Sequence, residues 1–333
     1  MFKQLLLSSI SFFIFCHAIF AQTVTELNKD GELSLRGLSV VDDNVVWVSG
    51  SKGTVGRSTD GGKTWKWMHV KGYENADFRD IEAFSKNTAI VMSIAEPAYI
   101  LKTTNGGKSW KKVYENKAAG MFLDAMEFSD HQTGYVVGDP IDGKFFIAKT
   151  TDGGKSWQAM DTALCAKADS AEACFASSGT NIRMITNEQF AYVSGGSVSN
   201  LIIGSDKIRL PLLQGKNSTG ANSVAIKDSS TFIVVGGDFT DISALSNCVF
   251  TLNGGKTWNL PTRSPSGYKS CVEYISGNTW ISCGLSGIDI SIDNGLNWKQ
   301  ISKESYHACR KANNGRAVYF SGNKSRIGKL NLE

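Results

Sequence analysis

Arg36, Arg79 and Lys269 share one spacing. Each stands 11 residues before the residue that opens a short strand-like run: Trp47, Ile90 and Trp280. Equal offsets predict equivalent places in a repeated structure. Three cations gathered there would bind carboxylates or an acidic segment of a partner. Asp80, Asp124, Arg183, His307 and Arg310 fall at similar points. They either extend that patch or neutralise it internally, with Asp80 and Asp124 as the available counter-charges. Three irregular loops also carry polar groups: residues 138–143, 175–181 and 236–241. Asp139, Asp142, Asp238 and Asp241 in these loops could support a calcium ion, but their spacing matches no calcium loop, and turn formation accounts for Gly- and Asp-rich segments.

The other reactive side chains are seven cysteines. Cys16 falls in a segment, residues 1–21, that reads as a secretory signal. Lys3 supplies its positive end, and residues 5–20 form an apolar run of 16, short for a membrane span of about 20. Removing it leaves six cysteines outside the cytoplasm, periplasmic or secreted, where disulfides persist. Cys165 with Cys174, and Cys271 with Cys283 across a hairpin centred on Gly277, are the expected pairs; Cys248 and Cys309 have no evident partner. No Cys-x-x-Cys or Cys/His cluster is present, so no metal site and no cofactor are expected.

These groups are carried by a repeat. One octapeptide recurs as Ser58-Thr-Asp-Gly-Gly-Lys-Thr-Trp65, and again over 103–110, 150–157, 251–258 and 291–298. Its tryptophans lie 45, 47, 101 and 40 residues apart, the long step being two periods with a worn copy near Asp206. Asp60, Asn105, Asp152, Asn253 and Asp293 would accept hydrogen bonds from the turn backbone, and Gly-Gly would allow positive φ. Trp65, Trp110, Trp157, Trp258 and Trp298 would bury their rings beside the hairpin. The motif is therefore a structural turn, and its lysines are solvated. Between motifs, runs such as Trp47-Val-Ser-Gly50, Tyr192-Val-Ser-Gly195 and Tyr319-Phe-Ser-Gly322 mark a second strand in each of seven periods. A period of 40–50 residues with four strands is the size of a propeller blade. The expected fold is all-β, a single seven-bladed β-propeller over residues 22–333, with inner strands near 35, 78, 122, 181, 222, 269 and 307. Residues 23–27 would supply the missing last strand and close the ring.

Composition agrees. Glycine is abundant at 34 residues and proline scarce at 5, as tight turns between short strands require. The net charge of +4 comes from 35 basic and 31 acidic side chains with no basic stripe, which excludes a polybasic nucleic-acid binder.

The octapeptide is similar to the Asp-box, or BNR repeat, of sialidases, sortilin-type receptors and related propellers. The whole mature chain resembles the photosystem II stability/assembly factor family and its bacterial secreted, non-photosynthetic relatives. The resemblance rests on the five Asp-boxes, Leu35-Arg-Gly37, Phe78-Arg-Asp-Ile81, Gly138-Asp-Pro-Ile-Asp-Gly143 and Gly267-Tyr-Lys-Ser270. It implies a seven-bladed propeller that chaperones a membrane-protein precursor through an arginine patch, which Arg36 and Arg79 match in part. The expected role is a non-catalytic binding or scaffold protein, monomeric, with no membrane span after signal removal. Its partner would be a protein or a small anionic or glycan ligand at the channel face. The alternative is a sialidase-like glycoside hydrolase. Sialidases need three arginines and an Arg-Ile-Pro near the first strand; here no proline follows Arg-Ile. Asp124 and Glu127 are the carboxylates another glycosidase could use.

Overall fold

The computed structural model describes residues 22–241, 243 and 245–331. The expected signal segment, with Lys3 and Cys16, lies outside the described residues. Among the described residues the only helical element is a short 3-10 turn, Thr162–Leu164. All else of regular structure is antiparallel strand.

Five sheets are four-stranded meanders. The first runs Leu35–Val40, Val46–Gly50, Thr54–Ser58, Lys66–His69. The others begin with Phe78–Ala83, Leu123–Phe128, Cys271–Ser276 and Ala308–Lys311. The sixth sheet has eight strands. It contains one meander beginning at Ile182–Met184 and another beginning at Thr219–Ile226, joined where Gly195 pairs with Gly220. The first strand of each meander packs on the first strand of the next, and Ala308–Lys311 returns to Leu35–Val40. The ring is thus closed around a central channel.

Burial follows position in each sheet. The second strands, such as Val46–Gly50 and Ala89–Ser93, are buried throughout because neighbouring sheets cover both faces. That is why they read as continuous apolar runs rather than alternating ones. Outer strands such as Lys66–His69 are largely exposed. Trp47 and Trp280 are buried completely between sheets, where truncation to alanine costs about 3–5 kcal/mol.

The last sheet takes its outer strand from the other end of the chain. Thr23–Asn28 pairs with Ile327–Asn331, Val24 opposite Leu330. This closure removes a sheet edge and ties the two ends of the described chain together.

The five octapeptides share one geometry. In the first, Ser58 Oγ donates to Asp60 Oδ1 at 2.8 Å and accepts the Gly62 N–H at 2.9 Å. Asp60 Oδ1 accepts the Thr64 N–H at 2.9 Å, and Gly61 and Gly62 have φ of 75° and 86°. Hydrogen bonds from Thr64, and then Ser58, hold the Asp60 carboxyl down at about 2. The same contacts recur at Asn105, Asp152, Asn253 and Asp293. Trp157 and Trp298 are buried; Trp65, Trp110 and Trp258 are half-buried. The worn copy is a plain two-residue hairpin, Ile203 pairing with Asp206 around Gly204.

The cysteines differ from expectation. All six described cysteines are free, buried thiols, so Cys165–Cys174 and Cys271–Cys283 are not disulfides in this structure. The hairpin itself is as expected, with Cys271 directly opposite Cys283. Cys309 of the neighbouring sheet, however, approaches the same pair, its sulfur 3.5 Å from that of Cys271. Cys165 instead directs its Sγ toward the Asp161 carbonyl.

Candidate binding mouth of the channel

In the first strands of four meanders the register slips by one residue near the start. The slips fall at Arg36, Arg79, Asp124 and Asn222. Each is a β-bulge, which re-aims the side chain of the extra residue. Arg36 and Arg79 are thereby turned into a cavity of about 550 Å³ at this end of the channel. The wall is aromatic: Phe122, Phe175, Phe239 and Tyr268, with Phe175 and Phe239 edge to face at 5.7 Å. Asp139, His307 and Asn323 add polar groups.

Arg36 Nη1 donates to the Ser177 carbonyl at 3.1 Å. Among the described residues no carboxylate forms an ion pair with it. Burial, and then the nearby Arg79 charge, lower its pKa, so an anion placed here would relieve a real electrostatic cost. Arg79 pairs with Asp77 at 2.8 Å and lies 6.0 Å from the Phe122 ring centre. His307 is buried, with Ser34 Oγ 3.4 Å from Nε2. Burial and then Arg36 push it down to about 3, so it stands neutral in the mouth. Asp139 is pushed up to about 6 by burial, although its Oδ1 accepts the Cys174 N–H at 2.9 Å.

Lys269 occupies a different kind of place. The first two strands of its meander pair without a bulge at the start, slipping instead between Tyr274 and Ser276. The equal spacing to Trp280 therefore does not give an equal position. Lys269 is buried and pairs with Asp289 at 2.6 Å, donating also to the Gly287 carbonyl. Burial lowers its pKa.

Asp80 and Asp124 are internal as well. Asp80 accepts the N–H groups of Ile81 and Met126, at 2.8 and 2.7 Å, and burial raises it to about 7. Asp124 is buried with no donor in hydrogen-bond geometry at either oxygen. Burial, and then Asp139, raise it well above the carboxylate range.

The loop 175–181 threads the channel itself. The Ser177 carbonyl meets Arg36, and the Ser178 hydroxyl donates to the Ser270 carbonyl at 2.7 Å. The Gly179 carbonyl accepts from Arg310 at 2.7 Å. Gly179 has φ of 64°, and a Cβ there would overlap the Asp80 carboxylate. Below this plug the far end holds Glu82, Glu127, Glu273, Arg183 and Arg310 around a smaller cavity of about 140 Å³. Arg183 bridges Glu127 at 2.9 Å and Glu273 at 3.3 Å. Burial pulls its pKa down, but those two carboxylates outweigh it and raise it.

Of the expected site residues, Arg36, Arg79 and His307 meet in one mouth. Arg183 and Arg310 serve the opposite end, Asp80 and Asp124 are buried beside the channel, and Lys269 is in a separate internal pair. The aromatic wall was not anticipated from sequence. Its members come from segments spread between residues 122 and 268, and only the closed ring brings them together. The glycine-rich loops were the available signal: Phe175 and Phe239 sit in two of them. Asp238 binds its own loop through Thr240, consistent with turn chemistry.

Residues 21–121 match the sequence model of a family described as photosynthesis system II assembly factor YCF48. A search of curated protein sequences found no match. Among solved structures, the chain is similar to one described as YCF48 bound to D1 peptide: 16% identity, TM-score 0.66, covering 94% of this chain and 97% of that one. It is similar also to YCF48 from Cyanidioschyzon merolae, at 16% identity and TM-score 0.65, covering 92% and 98%. The WD40 beta propeller domain of Doa1 matches at 14% identity and TM-score 0.63, covering 93% and 97%. With the closed ring of meanders and the Asp-box hairpins, the structural likenesses show a β-propeller, and within it residues 21–121 are similar to the photosystem II assembly factor family.

Proposed function

We propose that this chain is an exported, non-catalytic propeller, one domain over residues 22–333, that binds an anionic segment of a protein at the Arg36–Arg79 mouth. We read the two halves of the eight-stranded sheet as separate blades, a division that supports a seven-bladed ring. The observation that carries the reading is Arg36: a half-buried guanidinium, aimed into the cavity by a bulge, with no ion-pair partner among the described residues. An incoming carboxylate would gain a charge-assisted, two-pronged hydrogen bond there. The aromatic wall would take the apolar side chains beside that carboxylate. A similar propeller described as bound to a peptide supports a protein partner over a small glycan.

The hydrolytic reading has one feature in its favour, the raised carboxyl of Asp139 in the mouth. It lacks a facing pair: Asp124 lies buried on the mouth side, whereas Glu127 is held by Arg183 at the other end.

The test is capture of partners from crosslinked native envelopes by wild type and by the Arg36→Ala/Arg79→Ala double variant. An envelope protein captured by wild type and lost with the variant supports the reading. Equal capture by both contradicts it, as would turnover of a sialoside or glycan panel by the pure protein.

A further inference from the structure

The sulfurs of Cys271, Cys283 and Cys309 all lie within 4.8 Å of one another. Cys271 and Cys283 face each other across one sheet. Cys309 comes from the first strand of the next, the sheet that is closed by Thr23–Asn28. All three are buried completely, in a seam otherwise packed by Ile275, Ile281, Tyr306 and Phe320. Aliphatic side chains would fill such a seam without polarity. Instead, half of the described cysteines converge on one point. The Cys309 N–H also points at the Cys271 sulfur, at 3.3 Å.

We infer that Cys271, Cys283 and Cys309 form a three-thiolate site for a soft, low-coordinate cation, the cuprous ion above all, that staples two neighbouring sheets of the ring. Three sulfurs around one metal at about 2.3 Å from each stand about 4.0 Å apart in a trigonal arrangement. The observed cluster, with one pair at 3.5 Å and all within 4.8 Å, needs only small side-chain movements to reach that. The donor set selects the metal. Thiolates alone favour soft ions such as Cu(I), and disfavour calcium and magnesium, which want oxygen. Zinc would require a fourth ligand, and among the described residues no His, Asp or Glu joins the cluster.

Binding is a proton exchange without redox change: one cuprous ion replaces three thiol protons, leaving a complex with two negative charges. Arg310 acts on Cys271 and partly offsets that charge; Lys269 acts on Cys283 but is already paired with Asp289. Because the thiols are inaccessible in the closed ring, the ion must enter while these sheets are apart. Loading is therefore coupled to folding.

The test refolds the full chain, reduced, with cuprous ion supplied from a chelator buffer. The expected result is one copper per chain retained through desalting, with X-ray absorption showing three sulfur scatterers at about 2.3 Å. Cys309→Ala should weaken copper binding by more than the ~10–100-fold typical of losing a supporting contact. Cys248→Ala, outside the cluster, should bind as wild type does. If Cys309→Ala fails to fold, the scattering shell of the wild-type protein decides alone. No retained copper would overturn the site, as would nitrogen or oxygen scatterers. So would a chain two hydrogen atoms lighter, with a Cys271–Cys309 disulfide and no metal uptake.

Discussion

At one end of the channel, Arg36 and Arg79 face a cavity of about 550 Å³ with a single ion pair between them, Arg79 to Asp77. At the other end, Arg183 and Arg310 face three glutamates, and Arg183 alone bridges two of them. Both ends are built from the same inner strands. The far end engages both its arginines with its own carboxylates and leaves smaller cavities of about 140 and 270 Å³; the near end leaves a guanidinium waiting. The difference separates a charged cluster that holds the ring together from one that can hold a ligand. It also shows why counting arginines near a channel does not locate a site. What matters is whether a carboxylate of the same chain has already reached them.

That contrast can be broken most severely at the far end. Arg183→Met leaves the half-buried Glu127 and Glu273 together without their shared cation. For a half-buried network the loss is smaller than the about 3–5 kcal/mol of a fully buried pair, so urea denaturation should show a loss of about 1.5–3 kcal/mol, with ligand binding by the folded fraction unchanged. The next largest effect belongs to the mouth. Arg36→Ala with Arg79→Ala should weaken anionic-peptide binding on the order of 10–100-fold, while thermal unfolding stays close to wild type.

Titration sharpens the comparison further. Asp139, raised to about 6 by burial, adds a negative charge to the mouth as pH rises through that value. An anionic ligand should therefore bind tighter at about pH 5 than at about pH 7, and Asp139→Asn should flatten the profile. His307 acts with the opposite sign, and on stability. Its folded pKa of about 3 lies below the value in the unfolded chain. The unfolded state takes the proton first, so stability falls as pH drops from about 6.5 toward 3. His307→Gln should remove that part of the acid loss in a series of melting curves. The smallest effect is expected at the rim. Asp60→Ala should speed amide exchange at Thr64 within its own hairpin and leave binding intact.

The sequence was most legible where structure is local. Asp-box turns depend on residues within four positions of one another, so Asp60 and Gly62 announced their hairpin directly. The inner strands also stood close to their expected starts, because each period repeats its own apolar run. Spacing succeeded for Arg36 and Arg79 for a reason that spacing does not contain: both sit in bulges. It failed for Lys269, whose period carries the additional residue Cys283 before Gly284 and pairs without a bulge at its start. The cysteines were illegible for a related reason. Cys309 is near Cys271 only through packing of adjacent sheets, and nothing local encodes that contact. The aromatic wall and the threading of 175–181 likewise exist only once the ring has closed.

The central claim is that the near mouth binds an anionic segment and the far end does not. The direct measurement is the affinity of short peptides bearing a free carboxylate, against their amidated forms, for wild type, Arg36→Ala/Arg79→Ala and Arg183→Met. The account predicts carboxylate-dependent binding that is lost with the mouth variant and retained by folded Arg183→Met. Binding that ignores the carboxylate, or that survives loss of both Arg36 and Arg79, would contradict it.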